Sequence, residues 1–145
     1  NLEPHWRYSL RMNWLVKEEP DNYSYATFLK DGSTVWAGVR NPVAQRHLRE
    51  MKKGDRVFFY HTGKEKAVIG TATVSKTAYP DPNDKSASLV VVELAAGKML
   101  ERPVTLSEIK ADKRFADMPL VRIPRLSVQP VTDEQWDWIE GMSKA

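Results

Sequence analysis

Hydrophobic and polar positions alternate along the chain with two periods, and the switches between them mark out the elements. Asn13–Lys17 has a period of two, with Trp14 and Val16 on one face and Leu15 and Lys17 on the other, which predicts a short strand. Ser24 is placed to cap a short helix running through Leu29, which Asp31–Gly32 stops with a turn. Val43–Lys53 carries the clearest helical period. Ala44, Leu48 and Met51 recur at i, i+4 and i+7, Arg46, Arg49 and Lys53 share a solvent-side face, and Gly54–Asp55 ends the element.

Aromatic and β-branched residues then take over. Arg56–His61 and Val68–Ala78 predict strands separated by a loop at Thr62–Lys66. Tyr79–Asp84 reads as a turn cluster, Ser88–Leu94 as a third long strand and Ala96–Lys98 as a turn. Thr105 with Glu108 forms a capping box for a short helix carrying Leu106 and Ile109. Arg125–Val131 predicts a further strand, and Thr132 with Gln135 a second capping box that opens a terminal helix with Trp136 and Ile139 inward. The sum is a small α+β domain around a mixed, barrel-like sheet, spanning residues 12–145. Asn1–Arg11 has no clear period and is expected to be a disordered extension or a cloning remnant outside the fold.

Composition narrows the classes. At 145 residues the chain has the size of one ordinary domain, with enough length for a core. It contains no cysteine, which excludes disulfides and thiolate metal sites. No apolar run approaches the roughly 20 residues that span a bilayer, and the first dozen residues lack a secretory h-region, so no membrane partner is expected. The expected location is cytoplasmic, or nuclear in a eukaryote, and the expected state a monomer. A formal net charge of +3 permits a nucleic-acid partner without demanding one. Five Trp and five Tyr leave aromatics available for stacking after a core is filled.

Catalytic signatures are missing. The three histidines are His5 in the excluded segment, His47 on the basic helix face and His61 at a strand end. No H-E-x-x-H, G-x-S-x-G, phosphate-loop or dinucleotide fingerprint occurs, and no carboxylate spacing singles out an acid–base pair. The reading is therefore no enzyme, no cofactor and no metal.

Three constellations could instead bind. In Val35–Pro42, Trp36 offers a stacking plate and Gly38 allows close backbone approach at Val39. Arg40 can hold phosphate or stack, and Asn41 can present a donor and an acceptor to a base edge. The competing interpretation is a Trp packed at a turn beside a solvated Arg40. In Phe58–Thr62, Phe58 and Tyr60 share one face and Phe59 and His61 the other; one face must be core, and the other could line a cavity with His61 and Thr62 at its mouth. For His61 alone, a hydrogen-bonded structural role is the commoner outcome. The basic face of Arg46, Arg49 and Lys53 is either solvated or a source of phosphate contacts.

These segments in this order resemble the EVE domain family. The matching runs are WLVKEEP (Trp14–Pro20) with Tyr23 and Ser24, VWAGVRNPVA (Val35–Ala44), LREMKKGDRVFFYHT (Leu48–Thr62), VIGTATV (Val68–Val74), AYPDP (Ala78–Pro82) and RLSVQPVT (Arg125–Thr132) with Trp136. The resemblance covers Met12 to Met142. It implies a PUA-like open β-barrel with flanking helices, similar to the YTH readers of methylated adenine, whose aromatic cage has a Trp related to Trp36. It further implies a pocket for one modified base of DNA or RNA, methylcytosine among them. That pocket is expected between Trp14 and Lys17 of the first strand, Tyr23 and Ser24, the Trp36–Asn41 loop, Tyr60 and His61, and the turn Tyr79, Pro80, Asp81. Lys17, Arg40, Arg46, Arg49 and Lys53 would hold phosphates. The second aromatic wall is open among Tyr79, Tyr23 and Trp14. Thr62 and the short Gly63–Ala67 loop depart from the family pattern, where Ser and a longer segment often follow, and this alters the rim. The rival readings are an RNA- or DNA-processing enzyme, or a small-molecule-binding module, using the same pocket.

Overall fold

In the computed structural model, which describes residues 12–145, strand β1 (Asn13–Glu18) enters the middle of a sheet rather than its edge. Its neighbours are β3 (Arg56–His61), parallel, and β6 (Val128–Val131), antiparallel. Beyond β3 lie β4 (Ala67–Pro80), β5 (Val90–Thr105) and β2 (Ser33–Trp36), all antiparallel, so the sheet order is β2-β5-β4-β3-β1-β6. The connection from β1 to β3 carries helix α1 (Tyr25–Asp31), strand β2 and helix α2 (Pro42–Glu50). A parallel neighbour requires such a long crossover. After β5 come α3 (Leu106–Ala111), a single 3-10 turn (Lys113–Phe115) and α4 (Pro119–Arg122); α5 (Asp133–Ser143) follows β6.

The helix signals behave as their chemistry requires. Ser24 accepts from the Thr27 amide to start α1, and Gly32 at φ +80° closes it. Both capping boxes form, Thr105 with Glu108 and Thr132 with Gln135. Proline at the first turn of α2 loses no helical hydrogen bond there.

Both faces of the sheet are core. Neither face of Phe58–His61 is given over to a cavity as expected, although Tyr60 borders one beside Thr62, and His61 is buried rather than at its mouth. On the first face Trp14, Val16 and Phe59 pack with Tyr25 and Phe28 of α1, Trp36 of β2 and Ala44 and Leu48 of α2. On the second, Leu15, Phe58 and Val68 pack with Ile109, Phe115, Leu120 and the terminal helix, where Trp136 stacks on Phe58 at 3.6 Å between centroids. Strand alternation produces the division, because neighbours in sequence face opposite ways.

Among the described residues the sheet is mixed and open, with β2 and β6 as outer strands, consistent with the open architecture expected. Other expectations need revision. Trp36 lies at the end of a strand, not in a turn, paired with Val92. The helix expected to reach Lys53 stops at Glu50, so Lys53 lies outside it. Tyr79 and Pro80 belong to β4. The strand expected from Arg125 begins at Val128. The turn at Ala96–Lys98 is absent, and β5 runs through it. Ala96 pairs with Ala72 and Met99 with Gly70, so the ladder shifts register while the strand bends without ending. Gly97 makes this possible, since a Cβ there would collide with the Thr71 hydroxyl. The 3-10 turn and α4 carry no signal long enough to read. The expectation for Asn1–Arg11 lies outside the described residues.

Candidate nucleic-acid interface

The expected site residues do not converge on one cavity. Along the ladder, β1 and β3 point one way and end at Lys17–Glu18 and Tyr60–His61; β2 and β4 point the other way and end at Trp36 and Tyr79–Pro80. Alternation separates them further: Trp36 packs with Phe59 on the first face, while Lys17 and Tyr60 sit with Leu15 and Phe58 on the second.

The first group surrounds the Trp36–Asn41 loop. Trp36 meets Phe59 edge to face at 5.4 Å and is only 5% exposed, so its plate is covered. Gly38 takes φ +82°, a conformation that would strain any side-chain-bearing residue. Asn41 accepts from the amides of Val43 and Ala44 at 2.9 and 3.0 Å, capping α2. Its side-chain oxygen is thus spent on the helix, and only its amide NH2 remains to contact a ligand. Arg40 and Arg46 are exposed. Arg49 instead donates to the Ser88 carbonyl at 2.7 Å, bracing the loop between β4 and β5.

One residue that the sequence reading passed over organises this end. The buried Gln45 amide donates to Val39 O at 2.7 Å and Val90 O at 3.1 Å, and accepts from Val90 N at 2.9 Å. It ties the Trp36–Asn41 loop to the base of the β4–β5 hairpin. A polar residue beside Ala44 on the buried side of an amphipathic helix was the available signal. Within the hairpin loop, the Asp84 carboxylate binds the Ser86 hydroxyl and the amides of Leu89, Ser86 and Ser88, which hold its pKa down to about 2. Asp81 accepts from the Asn83 amide. Tyr79 donates to Glu93 at 2.6 Å, a bond that raises its pKa, and Lys76 lies over its ring at 4.7 Å.

Several expected contacts serve the fold. Trp14 is buried and donates to Asp55 at 2.9 Å. His47 is buried against Trp14 rather than displayed on a basic face. His61 is 6% exposed; its Nε2 accepts from the Tyr25 amide at 3.0 Å, so its proton sits on Nδ1, which donates to Glu65 at 2.7 Å. Ser24 caps α1, and Tyr23 donates to Asp31 at 2.8 Å, its pKa raised chiefly by desolvation.

The second group, Lys17 and Tyr60, lines a cavity of about 260 Å³ together with Thr62, Lys66, Lys110 and Pro124. The Lys17 ammonium donates to Pro124 O at 2.7 Å and sits 5.6 Å from the Tyr60 ring centre. Burial lowers the Lys17 pKa and pushes the Tyr60 hydroxyl up to about 12. Thr62 was expected at a cavity mouth, whereas Lys66, Lys110 and Pro124 went unread because three separate stretches of chain supply them.

Among the described residues no group of three or more His, Asp or Glu could hold a metal, and no helix is long and apolar enough to cross a membrane. The geometry offers a polar, partly basic surface at two ends of an α+β sheet. Residues 12–142 match the EVE domain family, and the chain belongs to it. It is 33% identical over 166 residues to thymocyte nuclear protein 1 of Gallus gallus, covering 91% of this chain and 69% of that protein. An NMR structure of a Rhodopseudomonas palustris protein superposes with a TM-score of 0.88 at 44% identity, covering 92% and 93% of the two chains. The human THYN1 protein, solved in complex with 5-methylcytosine-containing DNA, superposes at 0.85 with 28% identity over 92% of this chain and 98% of that one.

Proposed function

We propose that this chain is a non-enzymatic reader with a PUA-like fold related to YTH domains, which holds one modified base of a nucleic acid against Trp36. The observation that carries the reading is the likeness over nearly the whole chain to the human protein bound to 5-methylcytosine-containing DNA. A methylated cytosine in DNA is accordingly the first ligand to test.

Chemistry at the Trp36 end supports it. Stacking on an indole contributes about 1–3 kcal/mol per base, and a methyl group adds apolar contact at little desolvation cost. Because Trp36 is covered, a base reaches the ring when the 37–41 loop lifts. Ala37, Gly38 and Arg40 of that loop are exposed, and Gln45 grips the Val39 carbonyl beneath it. Arg40, Arg46 and Lys53, all exposed, then face phosphates; in a duplex the base must first leave the stack.

The test is a fluorescence titration of DNA and RNA oligonucleotides, unmodified or carrying methylated or hydroxymethylated cytosine or methylated adenine, at two salt concentrations. Tightest binding to one modified member with quenched Trp emission is expected, and Arg40→Ala should weaken it about tenfold without altering thermal stability. Nucleosides recovered afterwards should be unchanged in mass. Equal binding of every oligonucleotide, abolished by salt, would overturn the reading.

A further inference from the structure

Three ammonium groups from three separate stretches of chain converge on the cavity of the second face: Lys17 from β1, Lys66 from the β3–β4 loop and Lys110 from α3. No Asp or Glu lines it, and none of the three lysines forms an ion pair among the described residues. The carboxylates nearby are committed elsewhere. Glu19 lies against Gly63 and takes the Thr62 hydroxyl at 3.4 Å, Glu65 takes His61, and Glu108 takes Arg102. Lys17 has spent one of its three donors on Pro124, and the Tyr60 hydroxyl has no hydrogen bond among the described residues.

Like charges gathered around a hollow repel one another, and half-burial of Lys17 adds a desolvation cost that its one hydrogen bond, to Pro124 O, offsets only in part. An anion with several acceptor oxygens relieves both. We propose that this cavity is a phosphate-binding site on the face of the sheet opposite Trp36. Phosphate is the fitting chemistry because it carries up to two charges near neutral pH with oxygens pointing several ways, and Lys recognises it as a point charge. The hollow, about 260 Å³, accommodates the group and the first atoms of whatever bears it. The bearer is either a phosphate monoester or the backbone of a polynucleotide. The site does not depend on base reading at Trp36.

The experiment is a proton–nitrogen NMR titration of the full chain with inorganic phosphate, a nucleoside 5′-monophosphate and an unmodified DNA duplex. Shifts are expected at the amides of Thr62, Gly63 and Lys66. Lys66→Gln and Lys110→Ala, both at exposed positions and so harmless to the fold, should each weaken binding about tenfold, whereas Arg40→Ala should leave inorganic phosphate binding unchanged. Shifts with phosphate or the mononucleotide assign a free monoester; shifts with the duplex alone assign a polymer backbone. Absence of shifts at these amides with all three ligands, or an affinity in both lysine variants unchanged from wild type, would overturn the proposal.

Discussion

On the first face of the sheet every fully buried side-chain polar atom of the described residues has a partner. Trp14 donates to Asp55, Tyr25 to the Thr71 carbonyl, His61 uses both nitrogens, and the Gln45 amide makes three bonds. On the second face Trp136 Nε1 is buried without a partner, the Tyr60 hydroxyl makes no bond among the described residues, and Lys17 has no countercharge. Both faces are rich in aromatics, so aromatic content does not distinguish them. Satisfaction of polar groups does. A face whose groups are all paired gains little from a ligand unless something opens, whereas a face with spare donors gains at once. Base binding at Trp36, as proposed, therefore requires an opening motion, and phosphate binding in the Lys17–Tyr60 cavity does not.

If the first face is as tightly closed as described, Gly70→Ala is the most damaging single change. Its Cβ would fall inside the Tyr25 ring, and Tyr25 is fully buried with its hydroxyl fixed. A loss of about 3 kcal/mol in denaturant-derived stability is expected; an unchanged unfolding midpoint would break the contrast between the faces.

Gln45→Leu probes the same face more gently. Removing the amide leaves the Val90 amide and the Val39 carbonyl without their partner and should cost about 2 kcal/mol. Faster hydrogen exchange should then be confined to residues 37–41 and the hairpin base. Uniformly faster exchange would show that Gln45 supports the core and does not latch the loop.

The smallest effect belongs to the second face. Tyr60 titrates near 12 when folded against an ordinary 10, so between those values the folded state holds a proton that the unfolded state has released. Its contribution is complete below pH 10 and is lost as pH rises toward 12. Tyr60→Phe should flatten the decline of stability across that interval relative to wild type, measured by urea unfolding at several pH values. Identical slopes would mean that the hydroxyl is not desolvated.

Most of the fold was legible wherever a local device was enough. The β1 alternation, the Ser24 cap and both capping boxes act over a few residues and were read as they occur. Strand β2 was not, because four residues ending in Trp36 pair with β5 some sixty positions away, and no local pattern encodes that partner. Gly97 carried the composition of a turn while serving a bend held by Thr71. The site was harder still. Trp36 and Lys17 are visible as residue types, yet their separation onto opposite faces follows from strand directions that only the whole sheet defines.

The register of β1 has a consequence for synthesis on the ribosome. Asn13 pairs with Val131, so the second strand neighbour of β1 is translated 118 positions after it. Until it emerges, β1 exposes an open hydrogen-bonding edge in the middle of the future sheet, flanked by Trp14 and Leu15. A nascent chain stalled before Val128 would thus have most of its core and one adhesive edge, and holding that edge apart from other chains becomes a task for chaperones.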